Sequence, residues 1–202
     1  MLDRIAMAAL RPALTGAARG LARWGVHADH VTWLGFGVGI AAAGAITAQQ
    51  FIAGLMLLLL SRLCDGLDGA IARLTTPTDR GAFLDITLDF LFYASIPLAF
   101  AFADPAANAL AAAVLLAAFV GTGASFLAFS VLAAQRGLKS VAYPTKGIYY
   151  LGGLTEATET LACFAAMCVW PAHFPALALV FAGLCALTIV MRLRAGWTAL
   201  SG

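Results

Sequence analysis

The chain has 202 residues, of which 62% are hydrophobic and 11% are charged, whereas soluble domains carry roughly 25% charged residues. This composition excludes an ordinary soluble domain and predicts a membrane protein. The formal net charge is only +2, and no basic tract with interleaved aromatic residues occurs, which argues against a nucleic-acid-binding protein.

Residues 1–24 form the first predicted element. Apolar residues alternate there with Arg4, Arg11, Arg19 and Arg23, whose spacing places them on one broad side of a helix. The pattern predicts an amphipathic juxtamembrane helix lying on the inner leaflet. A cleavable signal peptide is the alternative, but the arginines are spread along the segment and no continuous apolar core precedes a cleavage site.

Residues 25–202 form the second predicted unit, an all-α polytopic membrane domain. Apolar runs near the length of about 20 residues that crosses a bilayer occur six times. The predicted spans are 31–49, 51–73, 82–103, 107–134, 147–170 and 173–192. The four cysteines lie within these spans at spacings that make no zinc pattern, so we expect them to be small core residues.

The placement of charge predicts an orientation. The turns at 47–50, 104–108 and 170–175 contain no Lys or Arg, and all twelve basic residues lie toward the other side of the predicted bundle. By the positive-inside rule, both termini are then cytoplasmic and the chain lies in the inner membrane.

Two short polar segments flank the first three spans. Asp29 precedes the first span and is a candidate helix N-cap, with Thr32 at the third helical position. Pro77 and Thr78 suit the turn between the second and third spans.

Four aspartates lie in the segment 65–89, DGLDGAIARLTTPTDRGAFLDITLD. Asp65 and Asp68 are three residues apart and Asp85 and Asp89 four apart, so each pair projects from one face of a helix. Two helices joined by the intervening turn can therefore aim four carboxylates at one point. Carboxylates in or near hydrocarbon are costly unless they are neutralised. Hard oxygen ligands select Mg²⁺ or Mn²⁺, and four carboxylates are enough to hold two ions.

Glycines and an arginine accompany the aspartates. Gly66, Gly69 and Gly81 carry no side chain, so a ligand can approach the backbone beside the carboxylates. Arg73 lies eight residues after Asp65, about two helical turns. Its guanidinium is expected on nearly the same face, where it suits a phosphate oxygen.

Written as D-x2-D-G-x2-A-R-x7-G-x3-D-x3-D, this segment resembles the signature of the CDP-alcohol phosphotransferase (CDP-alcohol phosphatidyltransferase) family of integral membrane enzymes. The matching positions are Asp65, Asp68, Gly69, Ala72, Arg73, Gly81, Asp85 and Asp89. The resemblance implies transfer of a substituted phosphate from a CDP-linked donor to an acceptor hydroxyl, with release of CMP. A polar helix pair with a fortuitous acidic cluster would have to match every fixed position by chance.

The resemblance also implies residue roles and a homodimer. Asp65, Asp68 and Asp85 would bind Mg²⁺ or Mn²⁺, and Asp89 would take the acceptor proton and bind a second ion. The implied donor-binding residues are Asp29, Thr32, Gly69, Arg73, Thr78 and Gly81. We expect CDP-diacylglycerol as donor, because a site near the interface lets the acyl chains stay in the bilayer while the cytidine stays in water.

Basic residues are candidates for the acceptor pocket. Cations suit a phosphate-bearing acceptor, but a cytoplasmic loop or helix end is expected to be basic in any case. The candidates are Arg136, Lys139, Lys146, Arg192 and Arg194.

Two glutamates lie inside the predicted fifth span. Glu156 and Glu159 are three residues apart and must face the bundle interior, because exposure to lipid is costly. They either contact acceptor hydroxyls or an amine, or they join a buried polar network with the neighbouring threonines. A polyol or serine acceptor fits the glutamates, and a phosphate-bearing one fits the basic residues, so the acceptor stays open.

Two other functions compete with phosphatidyl transfer. The donor can instead be CDP-choline or CDP-ethanolamine, with diacylglycerol as acceptor. An ion or solute transporter also uses intramembrane carboxylates. Such transporters tend to show internal repeats, and this sequence has no second copy of the aspartate pattern.

Overall fold

The computed structural model describes residues 2–137 and 153–201, with side chains from residue 12 onward. In these ranges all regular structure is helical, as the sequence predicts, and a 3₁₀ turn at Pro171–His173 precedes the last helix. The helices are α1 (Leu2–Arg23), α2 (Ala28–Thr47), α3 (Phe51–Leu74), α4 (Asp79–Ala103), α5 (Pro105–Gln135), α6 (Ala157–Val169) and α7 (Phe174–Leu200).

Four segments are long and apolar enough to cross a membrane: α2, α4, α5 and the segment 171–200 that contains α7. Helix α3 has 24 residues, but Arg62 and two of the aspartates interrupt its apolar run. Helix α6 has 13 residues, or about 20 Å of helix, which is shorter than the bilayer core of about 30 Å. By length and composition, helices in the described ranges therefore match four of the six predicted membrane crossings.

The last two predicted spans differ from the observed helices. Residues 147–152 lie outside the described residues, and 153–156 are not helical, so the described part of the predicted span 147–170 becomes regular helix only at Ala157. At the other end of the chain, α7 continues to Leu200. Arg192 and Arg194 therefore lie within α7 and do not mark its end.

Helix α1 packs against α3 and α6. Its Ala18 is fully buried against Ala70 and Ile71 of α3. Gly66 of α3 faces the same helix, because a Cβ there would lie 3.1 Å from Leu14 Cδ1. Gly66 thus makes room for α1, whereas the sequence had suggested that it admits a ligand.

Helices α2 and α3 approach closely through small residues. The buried face of α2 repeats every three or four residues and includes Gly35 and Gly39. A Cβ on Gly35 would lie 2.8 Å from Cys64 Cβ, so glycine is needed at this crossing. Ser61 Oγ donates a hydrogen bond of 2.7 Å to the Gly35 carbonyl. This bond fixes α3 against α2 one turn before the first aspartate.

Aromatic side chains fill the core at the far end of the bundle. Phe100 of α4 stacks on Phe174 with ring centroids 4.5 Å apart and on Phe51 at 5.7 Å. Asn108 donates a hydrogen bond of 2.9 Å to the Phe100 carbonyl. Offset stacking of buried rings contributes beyond the apolar area that they remove from solvent. This packing leaves the opposite end of α4 for the polar site.

We predict that Gly39→Ala lowers the melting temperature of the detergent-solubilised protein. A Cβ at position 39 would lie 2.6 Å from Phe92 Cδ2 and 2.9 Å from Ser61 Oγ. Overpacking of this kind costs about 1–3 kcal/mol, which offsets or exceeds the gain of roughly 1 kcal/mol in helix propensity.

The matched control is Gly37→Ala in the same helix, where an added Cβ has no neighbour within 4 Å. This variant should keep or raise the melting temperature. An equal shift for both variants would contradict the close contact of α2 with α4.

Candidate active site

The end of α3 and the beginning of α4 bring the two aspartate pairs together. Helix α3 ends at Leu74 and α4 begins at Asp79. Thr78 is the N-cap of α4, because its Oγ1 accepts a 3.0 Å hydrogen bond from the Gly81 backbone nitrogen. This is the turn role that sequence alone allowed for Thr78. The chain reverses within four residues, so the last turns of α3 face the first turns of α4.

Three of the four aspartates form a cluster. Asp65, Asp68 and Asp85 each offer a carboxylate oxygen, and these oxygens all lie within 4.8 Å of one another. Asp68 is 5% exposed, and its Oδ2 is buried with no hydrogen-bond partner among the described residues. A buried acceptor beside two further carboxylates fits a hard divalent cation such as Mg²⁺ or Mn²⁺. These three residues are the ones that the family resemblance implies as metal ligands.

Asp89 lines the same cavity as the cluster, but its carboxylate has a different partner. Its Oδ1 lies 2.6 Å from Nη1 of Arg62. Sequence reasoning missed Arg62 as a site residue. The available signal was its position three residues before Asp65 in an apolar run, since that spacing puts both side chains on one helix face.

The cavity that the four aspartates line, which we call the aspartate cavity, adjoins a second cavity of about 240 Å³, which we call the polar cleft. Thr32, Asp68 and Asp85 line both cavities. The cleft brings together five of the six predicted donor-binding residues. These are Asp29, Thr32, Gly69, Thr78 and Gly81.

Arg73, the sixth predicted donor-binding residue, does not line this cleft, but its guanidinium lies beside Gly69, which does. A Cβ on Gly69 would lie 3.2 Å from Arg73 Nη1. Gly69 therefore allows the guanidinium to lie close to the α3 backbone. This position keeps a positive charge beside the cleft.

The start of α2 forms the wall opposite Gly69. Asp29 lies in the first turn of α2, but the N-cap is His27, so the N-cap interpretation of Asp29 is wrong. Asp29 Oδ2 instead pairs with Arg80 Nη2 at 2.6 Å. A Cβ on Gly81 would lie 3.2 Å from Asp29 Oδ1, so glycine lets the starts of α2 and α4 approach each other.

None of the predicted acceptor residues that the structure describes lines either cavity. Arg136 donates a 2.8 Å hydrogen bond to the carbonyl of Leu200 at the end of α7. Arg192 is 8% exposed and donates a 2.9 Å hydrogen bond to the Thr122 carbonyl of α5. Arg194 is exposed. Lys139 and Lys146 lie outside the described residues.

The two glutamates begin α6. Glu156 is the N-cap and Glu159 the third helical residue, and together they form a capping box. Glu159 Oε2 accepts a 3.2 Å hydrogen bond from the Glu156 backbone nitrogen. Thr160 Oγ1 donates to the Glu156 carbonyl at 2.9 Å. Their predicted position inside a continuous helix is therefore wrong, and the contacts resemble the predicted polar network.

Comparison with known proteins identifies the family of this chain. A family model for CDP-alcohol phosphatidyltransferase matches residues 26–191. The chain belongs to this family. The resemblance seen in the aspartate pattern is thereby confirmed, and the match extends from the start of α2 into α7. Members of the family are transferases, so the chain belongs to a transferase family.

Two curated proteins show how this CDP-alcohol phosphatidyltransferase relates to others. The chain is 46% identical over 200 residues to "Inner membrane protein YnjF" of Escherichia coli, covering 99% of this chain and 97% of that protein. It is 44% identical over 70 residues to "Archaetidylinositol phosphate synthase" of Methanothermobacter thermautotrophicus, covering 34% and 36% of the two chains. These relatives support a membrane protein of phospholipid synthesis.

Solved structures of Mycobacterium tuberculosis phosphatidylinositol phosphate synthase (PgsA1) share the fold of this CDP-alcohol phosphatidyltransferase. The form with CDP-DAG bound has a TM-score of 0.72 at 25% identity, covering 92% of this chain and 94% of that one. The form in complex with manganese and citrate has a TM-score of 0.71 at 26% identity, covering 92% and 89%.

We predict that Glu159→Ala lowers the melting temperature of the protein, because loss of a helix cap costs about 1 kcal/mol. Glu159→Gln should keep the melting temperature near the wild-type value, since glutamine also serves at the third position of a capping box. If Glu159→Gln changes the apparent affinity for the acceptor while the melting temperature holds, its charge has a role beyond the cap. Equal destabilisation by both variants would contradict the cap.

Proposed function

We propose that this protein transfers the phosphatidyl group of CDP-diacylglycerol to a hydroxyl of an acceptor and releases CMP. The observation that carries the proposal is the shared wall of the two cavities. Asp68 and Asp85 line both the aspartate cavity and the polar cleft. A donor in the cleft would therefore present its diphosphate to the carboxylate cluster, where cations and the acceptor meet it.

The surroundings of the site support a lipid donor. Phe83 and Leu63 each lie two residues before a cluster aspartate, and they are 71% and 47% exposed. Apolar side chains at such positions suit the acyl chains of a donor held at the edge of a bilayer, while its cytidine occupies the polar cleft. The PgsA1 structure with CDP-DAG bound is a neighbour of the same fold.

Within the cleft, each proposed donor contact has a physical basis. Arg73 beside Gly69 places a guanidinium where it can pair with a phosphate oxygen. Asp29 and Thr32 supply polar atoms at the start of α2 for the cytidine. The glycine at position 81 keeps this wall of the cleft close to α4.

We assign Mg²⁺ or Mn²⁺, as two ions, to the carboxylates of Asp65, Asp68, Asp85 and Asp89. When bound, such ions neutralise the diphosphate and stabilise the charge that develops on the departing CMP. Asp68 Oδ2 is the strongest candidate for a ligand atom, because it is buried and has no hydrogen-bond partner among the described residues. The PgsA1 neighbour in complex with manganese and citrate supports this assignment.

We assign the role of general base to Asp89. The oxygen of the acceptor hydroxyl attacks the phosphorus of the phosphatidyl group, its proton passes to the Asp89 carboxylate, and the bond to the CMP oxygen breaks. Asp89 suits this role because it lines the aspartate cavity and lies outside the cluster of three carboxylates whose oxygens converge.

We assign the acceptor pocket to the predicted basic residues and glutamates. The described ones do not line the aspartate cavity, so an acceptor held by them would have to extend its hydroxyl to Asp89. A phosphate-bearing acceptor such as glycerol phosphate or inositol phosphate would be held by the basic group, as the synthase names of the relatives suggest. A neutral polyol or serine would be held by the two glutamates. The members are Arg136, Lys139, Lys146, Glu156, Glu159 and Arg192.

We infer that the site and both termini face the cytoplasm, because the basic residues of the sequence lie on that side. Helix α1 would then lie along the inner leaflet beside α3. The exposed apolar faces of the bundle would contact lipid and a second copy of the chain, since the family resemblance implies a homodimer.

The test is CMP release by the purified protein with CDP-diacylglycerol and Mg²⁺. The acceptor panel is glycerol 3-phosphate, inositol phosphate, inositol, serine and glycerol. We expect Mg²⁺-dependent CMP release with one of them. No release and no binding of CDP-diacylglycerol would contradict the proposed donor. CMP release from CDP-choline or CDP-ethanolamine with diacylglycerol would favour the alternative transferase.

In the same assay we predict that Asp89→Asn lowers kcat by about 100-fold to 10,000-fold, the usual contribution of a general base, and leaves donor binding near the wild-type value. The matched control is Asp104→Asn at the other end of α4. Asp104 caps α5 through the Ala107 backbone nitrogen, and asparagine is an equally good cap, so its kcat should be unchanged. Near-normal turnover by Asp89→Asn would show that Asp89 is not the base.

A further inference from the structure

Arg62 is a charged residue of the site to which neither the pattern nor the proposed reaction gives a role. It lies one helical turn before Asp65 in the apolar part of α3. Its side chain is 13% exposed. An arginine held this far from solvent at the end of a membrane bundle is costly, so its contacts must explain why it is there.

The guanidinium of Arg62 contacts both aspartate pairs. Nη1 lies 2.6 Å from Oδ1 of Asp89 and 3.5 Å from Oδ1 of Asp65. One nitrogen therefore joins α3 to α4 across the cavity. Hydrogen bonds between two ionised groups are shorter and stronger than neutral ones, and the contact to Asp89 is of this kind.

The position of the guanidinium is itself fixed from two further directions. Nη2 donates a 3.3 Å hydrogen bond to Ser61 Oγ, and that hydroxyl is bound to the Gly35 carbonyl of α2. The central carbon of the guanidinium lies 3.8 Å from the ring centroid of Phe92. Phe92 is completely buried. The head group is thus stacked on a buried aromatic ring and bound to a hydroxyl that itself contacts α2.

These contacts favour a role in the reaction over a role in stability. The pair is partly buried, with the side chain of Arg62 13% and that of Asp89 34% exposed, and the desolvation of such a pair offsets much of its attraction. What the pair does provide is a fixed orientation of Asp89. Each carboxylate oxygen has two lone pairs, so Oδ1 can accept from Arg62 and also bind the second cation, which leaves the other oxygen to the acceptor hydroxyl.

We propose that Arg62 is a positioning residue that holds Asp89 through one oxygen so that the other oxygen meets the acceptor. This inference rests on the proposed function, since it gives Asp89 the acceptor proton. Arg62 does not touch the reacting atoms. It acts through Asp89, and its charge also lowers the local negative potential at Asp65.

The charge of Arg62 has a second measurable consequence. Arg62 and a divalent cation compete for the same negative field of the carboxylates. Removing the guanidinium should therefore strengthen cation binding while it weakens turnover. A purely structural role predicts the opposite sign for the cation, because a collapsed site would bind it less well.

The experiment compares Arg62→Gln, Arg62→Lys and wild type for kcat, donor KM and Mn²⁺ affinity, the last from the electron paramagnetic resonance signal of free Mn²⁺. Arg62→Gln should lower kcat by about 100-fold, the loss typical of a displaced catalytic group, with donor KM near the wild-type value. It should bind Mn²⁺ about tenfold more tightly. Arg62→Lys keeps the charge without the planar fork and should recover about tenfold of the lost kcat.

The matched control is Arg19→Gln, which removes an exposed arginine of α1 and should change none of the three quantities. Three results would each overturn the proposal: unchanged kcat in Arg62→Gln, lower kcat together with weaker Mn²⁺ binding, or equal loss of kcat in the lysine and glutamine variants. If wild type itself releases no CMP, the proposed function fails. The Mn²⁺ affinities still decide on Arg62, because equal affinity in wild type and Arg62→Gln contradicts the competition.

Discussion

The mutual repulsion of carboxylates in an apolar bundle is the constraint on which the rest of this structure depends. Oxygens of Asp65, Asp68 and Asp85 lie within 4.8 Å of one another, in surroundings where unpaired charge is costly. The close crossing of α2 and α3, the capped start of α4 and the stacked Arg62 all hold this arrangement.

Much of the site could be predicted from sequence because helical periodicity acts over short distances. The spacing within each aspartate pair places both carboxylates of the pair on one helix face. The short turn, capped by Thr78, brings the two faces together. Asp29 and Thr32 could be added through the family resemblance, since nothing local links them to positions 65–89. Their place in the polar cleft depends on how α2 packs, which the glycines of its buried face allow but do not specify.

Other features depend on contacts that no local pattern encodes. From the sequence alone, Arg62 is one more charged residue in a predicted span, because its partners Asp89 and Phe92 lie on a different helix, α4. The sequence predicts that Glu156 and Glu159 are buried inside a membrane helix. In the structure α6 begins between them, and both side chains contact backbone groups. Arg192 lies within α7 and reaches a carbonyl of α5. In each case the partner lies on a different element or at a helix boundary, and boundaries are the part of a helix that sequence defines least well.

We propose that the three convergent carboxylates hold cations beside a cleft that holds the nucleotide. The most direct measurement is a structure of the protein with Mn²⁺ and CDP-diacylglycerol, with the metal located by anomalous scattering. The account predicts manganese between Asp65, Asp68 and Asp85, and the cytidine in the cleft beside Asp29 and Gly81. Manganese bound away from these carboxylates, or a nucleotide outside the cleft, would contradict it.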